Sequence, residues 1–364
     1  MILKTLPVLF TVGLTLSAFA AIDKFTSMDD IVNEALKQAK QTVDTSKFKK
    51  NPPYTIGFSN EAAVNTWRVQ MVREMQAEAD RHKDLIKNLF ITDANGNVSK
   101  QISDVQDLLA KGIDALLLTP LSPDALVPAV TKAVRQGVPV IVFNSNINGD
   151  RYTSFVGEDQ VQFGYVLAKW LTQKLNCQGN LIVLDGVAGN SVTEERFQGL
   201  EKAIKECADP SKIKILARYP SDWAYDKGKI STERALAAYP KIDGVWSQGG
   251  AMTQGAIEAF QAARRPLVPM TGEDNNGFLK LWQNLRPEGF SSCAGSDAPW
   301  ESSIAIVFAL RALQGEPIPK DFLVPVPTVT DENLDKYVRP DLSDSFWANT
   351  RLPEQEVKTD YAAQ

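Results

Sequence analysis

From Tyr54 onward the sequence alternates between short β-rich runs and amphipathic helical stretches. Consecutive parallel strands need a crossover long enough to hold a helix, so this alternation points to α/β architecture with parallel sheets. The β-rich runs are 54–59, 86–92, 115–119, 138–144 and 153–157, then 180–184, 213–219, 244–247, 267–272 and 290–294. Between the first two, Val64, Trp67, Met71 and Met75 fall on one helical stripe. The segments 124–136 and 163–175 repeat that pattern, and Gly112, Gly137 and Gly179 stand where helices must stop. Two blocks of similar design result, 54–157 and 159–295, followed by a helical stretch at 299–313 and an extended one at 323–330. A chain of 364 residues has length enough for two domains with substantial cores.

The residues before Tyr54 are of another kind. Lys4 precedes an apolar run over 6–16, and Ala18-Phe19-Ala20 has the small-x-small pattern of a signal-peptidase site. Residues 1–20 are therefore expected to be a signal peptide cleaved near Ala20. The run is short for a membrane span and no cysteine follows it for lipid attachment. Residues 21–52 form an extension that is helix-prone over 28–43 and ends at Pro52-Pro53. Export places the mature chain in a periplasm, where disulfides persist. Cys177 stands before the strand at 180–184 and Cys207 at the end of the helix that follows it. A helix end returns to its strand start, so a Cys177–Cys207 disulfide is expected. Cys293, inside an apolar run, reads as a buried thiol.

A formal charge of −5 with a pI near 5.2 gives no footprint for nucleic acid or an anionic membrane. With one histidine, His82, and three cysteines, no metal or other cofactor is expected. The glycine-rich turn at 186–191 lacks the Gly-Lys-Ser/Thr of a phosphate loop, and neither HExxH nor G-x-S-x-G occurs. The strand ends carry the informative residues, because open parallel sheets bind ligands beyond their carboxyl edges. Ser59 leads to Trp67 and Arg68, and Asn144-Ser145-Asn146 follows 140–143. Asp185-Gly186 follows 182–184, and Tyr219 to Trp223 follow 214–217. Gln248-Gly249-Gly250 follows 245–247, and Glu273-Asp274-Asn275 follows 268–272. Each has a plainer reading. Trp67 belongs equally to the core stripe, Asn144 to a turn, and Asp274 to the cap of a helix at 276–285. Arg196 lies in a helix that Ser191 to Glu194 open as a capping box. Together, amides, carboxylates and indoles at one edge of two sheets describe a binder of a small polar ligand with a flat apolar face, and no enzyme.

These residues carry a family resemblance over about 54–330. The stretch Tyr54-Thr-Ile-Gly-Phe-Ser59, the pair Trp67-Arg68, the run 105–120 and Gln136-Gly-Val-Pro-Val-Ile141 resemble the periplasmic sugar-binding proteins of ABC importers, in the ribose, galactose and furanose group related to LacI-type regulators. Asp185-Gly186, Arg196-Phe-Gln-Gly199, Asp222-Trp223 and Gly272-Glu-Asp-Asn275 extend the likeness. It implies two Rossmann-like three-layer domains with parallel sheets joined by a three-segment hinge, the type I periplasmic binding protein fold. The crossings would fall near Glu158-Asp159, Ser296-Asp297 and 325–328. The N-terminal lobe would be 53–158 with 297–326, and the C-terminal lobe and tail 159–296 with 327–364. It also implies a monomer that binds a sugar or polyol between its lobes and is recognised by an ABC permease of the inner membrane. Trp67 and Trp223 would cover the ligand's faces, Arg68 and Arg196 would donate to its hydroxyls, and Asp274 would accept. Ser59, Asn144, Gln248 and Asp297 complete the expected site. Asn144-Ser145 stands where many relatives carry Asp-Arg, Gly249-Gly250 where they carry Asn-Asp, and Ser296 where a hinge glutamine is frequent. The resemblance thus implies the family's binding mode with an altered ligand. Three alternatives remain: an exported sensory receptor, an exported enzyme on the same scaffold, and a transcriptional regulator, the last opposed by the export signal and acidic balance.

Overall fold

The computed structural model describes residues 27–363 apart from Val64. The expected signal peptide lies outside the described residues, as do the first residues of the extension. Among the described residues no helix is long and apolar enough to cross a membrane.

The elements run α1 (Met28–Gln38), β1 (Thr42–Val43), β2 (Tyr54–Asn60), α2 (Thr66–Arg81), β3 (Ile86–Asp93), α3 (Val98–Ala110), β4 (Ala115–Leu118), α4 (Val127–Arg135), β5 (Val140–Phe143) and β6 (Ser154–Gly157). Next come α5 (Gln160–Lys174), β7 (Gly179–Asp185), α6 (Ser191–Lys205), β8 (Ile213–Pro220), α7 (Tyr225–Ala238), β9 (Gly244–Ser247), α8 (Gly250–Ala262), β10 (Met270–Glu273), α9 (Asn276–Leu285) and β11 (Ser292–Gly295). The chain closes with α10 (Glu301–Gln314), β12 (Ile318–Pro319), β13 (Asp321–Leu323), β14 (Thr328–Thr330) and α11 (Glu354–Tyr361).

Two six-stranded sheets result, in the orders β13-β6-β5-β4-β2-β3 and β14-β11-β10-β9-β7-β8. The first is parallel throughout. The second is parallel except where β14 runs against β11. Strands such as β4 and β5 are buried along their whole length, as continuous apolar runs covered by helices on both faces should be. The chain passes from one sheet to the other after β6, after β11 and between β13 and β14.

The extended segment 323–330 divides between the two sheets, with the passage between them falling at 324–327. Pro325 and Pro327 lie in the gap, and neither can donate to a ladder. Similarly, β10 starts at Met270, later than the expected 267, directly after Pro269.

The helix expected over 28–43 stops at Gln38, and Thr42–Val43 pairs with β12. It is no loose appendage. Met28, Ile31 and Val32 are buried in the same cluster as Ile304, Phe308 and the other apolar residues of α10. Cys177 and Cys207 form a disulfide, with 5.7 Å between their Cα atoms, and Cys293 is a buried free thiol.

The segment after β14 follows the second lobe before reaching the first. Trp282 Nε1 donates to Asp331 Oδ1 at 2.9 Å, and the Asn276 amide donates to the carbonyls of Arg339, Leu342 and Ser343. Phe346, Leu352, Val357 and Tyr361 then form a small core against Ala77 of α2.

Candidate functional site

A cavity of about 30 Å³ lies where the two lobes meet. The first lobe lines it with Asn65, Trp67, Arg68 and Asn144, and the second with Val192, Arg196, Trp223 and Glu273. Asp297, at a crossing between the lobes, and Trp347 complete the wall. The lobes touch beside it. Asn190 Nδ2 donates to Glu61 Oε2 at 3.1 Å, and Asn146 donates to Ser191 Oγ and Glu195 Oε1, both at 2.8 Å.

The start of α2 places the first pair. Asn65 caps the helix by accepting from the Arg68 N–H at 2.9 Å, which fixes Trp67 and Arg68 in its first turn. Trp67 is both core and wall, because its indole also packs with Met71 and Met75. Arg68 donates to Glu61 Oε1 at 2.5 Å and to Asn144 Oδ1 at 2.7 Å. Asn144 holds a left-handed conformation, φ 62°, that asparagine tolerates. Burial raises the Glu61 carboxyl above its ordinary range, and the Arg68 charge works against that rise.

Arg196 sits on α6, which runs against α5 with its backbone nearly in contact. A Cβ at Gly164 would come within 2.0 Å of the Arg196 carbonyl oxygen, so no larger residue permits this approach. The expected capping box at Ser191 to Glu194 is replaced. Asn190 is the N-cap, accepting from the Val192 N–H at 2.9 Å, and Ser191 Oγ faces Asn146 instead. The Arg196 guanidinium is held on three sides. Its Nε donates to Gln160 Oε1 at 2.7 Å, Nη1 to the Gln248 carbonyl at 2.9 Å and to Glu273 Oε1, and Nη2 to Asp297 Oδ2 at 2.9 Å. Burial alone would lower its pKa, but Glu273, Asp297 and Glu158 together raise it.

Trp223 follows Asp222, and both have positive φ, 53° and 52°. Two consecutive non-glycine residues in this region are strained, and such strain gathers at functional sites. The indole rests where Gly186 and Gly249 have no side chains. A Cβ on Gly186 would lie 2.1 Å from Trp223 Cζ2, and one on Gly249 would lie 2.9 Å from Cδ1. Gly249, which the family comparison marked as a missing polar group, is thus part of the seat of the indole.

Three expected residues do not line the cavity. Ser59 is buried at the end of β2. The Gln248 amide donates to Asp185 Oδ1 and the Thr193 carbonyl, so only its main-chain oxygen touches the site, through Arg196. Asp274 requires a correction. Successive side chains leave a strand on opposite sides. Glu273 takes the cavity side, and Asp274 accepts from Ser296 Oγ at 2.7 Å and the Asn349 N–H at 3.0 Å. Asn275, not Asp274, caps α9.

Sequence reasoning also missed Glu61, the buried partner of Arg68 behind the wall, and the wall residue Trp347. Glu61 lies just past β2, and its proximity to Trp67-Arg68 was a usable signal. Trp347 had none, because nothing in its neighbourhood marks it as returning to the cleft.

The electrostatics are acidic. Glu61, Glu158, Glu273, Asp274, Asp297 and Glu301 are all buried, against the two guanidiniums of Arg68 and Arg196. Burial raises Glu158 and Glu301 well above the ordinary carboxylate range, and the charge of Asp297 adds to both. Among the described residues, no cluster of three or more histidine, cysteine or carboxylate side chains has the geometry to hold a metal ion. Three cavity-wall atoms, Trp67 Nε1, Trp223 Nε1 and Asp297 Oδ1, are buried without a hydrogen-bond partner among the described residues. Two donors and an acceptor left open this way are costly unless something completes them.

Comparison with known proteins agrees with this architecture. The model of the periplasmic binding protein domain matches residues 56–317. The ribose import binding protein of Escherichia coli K12 is 30% identical over 220 residues, covering 60% of this chain and 72% of the relative. The xylitol-binding protein of Mycolicibacterium smegmatis is 28% identical over 243 residues, covering 66% and 68%. Among solved structures, an ABC transporter solute binding protein from Thermobispora bispora superposes with a TM-score of 0.73 at 26% identity, over 84% of this chain and 95% of that one. The chain belongs to the periplasmic binding protein domain family and has its type I fold, two α/β lobes built on mostly parallel sheets.

Proposed function

We propose that this chain is the solute receptor of an ABC importer, taking a sugar or sugar-like polyol into the cleft and closing on it in the periplasm. The carrying observation is the pairing of two indoles, Trp67 and Trp223, with open polar atoms on the same wall. Sugar rings and polyol chains present apolar C–H faces that indoles cover. Their hydroxyls both donate and accept, which suits the open indole N–H groups and Asp297 Oδ1. Relatives named for ribose and xylitol support the ligand class. On this reading Trp67, Arg68, Asn144, Arg196, Trp223, Glu273 and Asp297 contact the ligand, and Ser59, Gln248 and Asp274 act from behind the wall. The lobes would be 53–158 with 297–326 and 159–296 with 327–364. Contacts from both lobes favour the closed form, the population an importer would recognise.

The test is calorimetry with glycerol, xylitol, arabinose, ribose, fructose, galactose and myo-inositol. At least one should bind, and Trp67→Ala and Trp223→Ala should each weaken it about tenfold or more. Recovery of that compound unchanged separates a receptor from an enzyme. Binding that survives both substitutions would place the ligand elsewhere.

A further inference from the structure

Trp347 comes from outside both blocks of alternating strands and helices, yet it lines the cavity and is 2% exposed. Both lobes grip it. On the first lobe, the Gln70 side chain is committed to it, with Oε1 accepting from the Trp347 N–H at 2.9 Å and Nε2 donating to its carbonyl at 3.0 Å. The indole Nε1 donates to Thr66 Oγ1 at 2.9 Å. On the second lobe, Trp347 forms a bridge with Asn275, and the Ala348 N–H donates to the Asp274 carbonyl at 3.3 Å. Asn349 follows, donating its N–H to Asp274 Oδ2 at 3.0 Å and its Nδ2 to the Ser296 carbonyl at 3.0 Å, beside a crossing between the lobes.

This arrangement exceeds what packing alone requires. A buried glutamine amide with both polar ends spent on one residue's main chain fixes that residue in position and orientation. Thr66 and Gln70 lie on the helix whose first turn carries Trp67 and Arg68, so the third indole is registered directly to the first. Asp274, adjacent to the wall residue Glu273, registers it to the other lobe. The segment around Trp347 is therefore referenced to both halves of the cleft.

We infer that Trp347 is the third aromatic wall of the binding cleft and a determinant of which ligands fit it, held in register with Trp67 by Gln70 and with Glu273 by Asp274. The inference rests on the reading that the cleft binds a sugar or polyol. It makes the residues after β14 part of the receptor's recognition surface. It also gives Asp274 a role without ligand contact, that of positioning Trp347.

The test compares Trp347→Ala, Gln70→Ala and Trp67→Ala across the seven compounds named above. Trp347→Ala should lose about tenfold or more for the compound that wild-type protein prefers. It should also change the order of preference toward larger members of the panel, because an indole's volume is returned to the cavity. Gln70→Ala should weaken binding by several-fold with the order unchanged, since it loosens the wall without removing it. A packing role alone would lower the melting temperature of both variants and leave affinity and order at wild-type values, and that result overturns the inference. If Trp67→Ala loses binding while Trp347→Ala and Gln70→Ala do not, the cleft reading stands and the third wall falls. If none of the three loses binding, or no compound binds the wild type, both fall. Should Trp347→Ala fail to fold, Trp347→Phe keeps the apolar packing, removes the bond to Thr66, and should still alter the order of preference.

Discussion

The indole of Trp223 lies against the α-carbon of Gly186, so close that a Cβ there would sit 2.1 Å from Cζ2. Gly186→Ala therefore requires the indole to move. We expect this substitution to weaken ligand binding nearly as much as Trp223→Ala, by about tenfold. Calorimetry on the two variants checks this, and a double variant no worse than either single one would show that they act through the same ring.

Arg196 is the ionic centre of the second lobe. It answers Glu273 and Asp297 with one guanidinium and reaches Gln160 and the Gln248 carbonyl as well. Arg196→Lys keeps the charge but not the fork that meets these partners at once. Leaving a buried carboxylate unpaired costs roughly 3–5 kcal/mol. We expect Arg196→Lys to lower the free energy of urea unfolding by up to about that amount, seen as a lower midpoint, with ligand binding lost alongside. An unchanged midpoint would mean that the acidic partners are already protonated and need no cation.

The alternation of strands and helices made the two-sheet architecture legible, because period and crossover length are local properties. Trp67, Arg68 and Trp223 stood out just past strand ends for the same reason, whereas Arg196, inside a helix, was marked by the family resemblance; all four line the cavity. Asp274 was mistaken for Glu273 because a composition of strand-end residues does not say which side of the pleat faces the cavity. The Asn190 cap displaced the expected capping box because Ser191 had a better partner on the opposite lobe, Asn146, 45 residues away in sequence. Trp347 was illegible for the strongest form of that reason. Its contacts to Thr66 and Gln70 span 281 and 277 residues, and no local pattern encodes them.

The Cys177–Cys207 bond closes a loop of sequence separation 30, joining the turn before β7 to the end of the α6 unit that carries Arg196. Loop closure of that size restricts the unfolded chain by roughly 3–4 kcal/mol. The double variant Cys177→Ser/Cys207→Ser should lose about that much in urea unfolding while keeping its affinity in native buffer. A large affinity loss at unchanged stability would instead tie the disulfide to the position of α6.

Two buried acids hold the segment after Trp347, one in each lobe. Glu74 Oε1 accepts from Thr350 Oγ1 at 2.5 Å and from the Arg351 N–H at 3.0 Å, and Asp274 Oδ2 accepts from Ser296 and Asn349. Burial pushes Glu74 up to about 7 and Asp274 up to about 8, the latter with a further push from the charge of Asp297. Both groups hold their protons more tightly in the folded protein than in the unfolded chain, where their ordinary values are 4.5 and 3.8. Their contribution to stability is therefore fully present at low pH, below those ordinary values. It is lost as pH rises through about 7 for Glu74 and about 8 for Asp274. Asp274→Asn keeps an oxygen to accept both bonds and carries no charge at any pH. We expect this variant to melt close to wild type at pH 5 and above it at pH 8.5. Glu74→Gln should act the same way, with its gain complete about one pH unit lower. Scanning calorimetry at intervals from pH 5 to 9 reads both curves. A wild-type melting temperature that rises across this range in step with either substitution's loss would reverse the sign and show that the ionised carboxylates strengthen the grip on the segment.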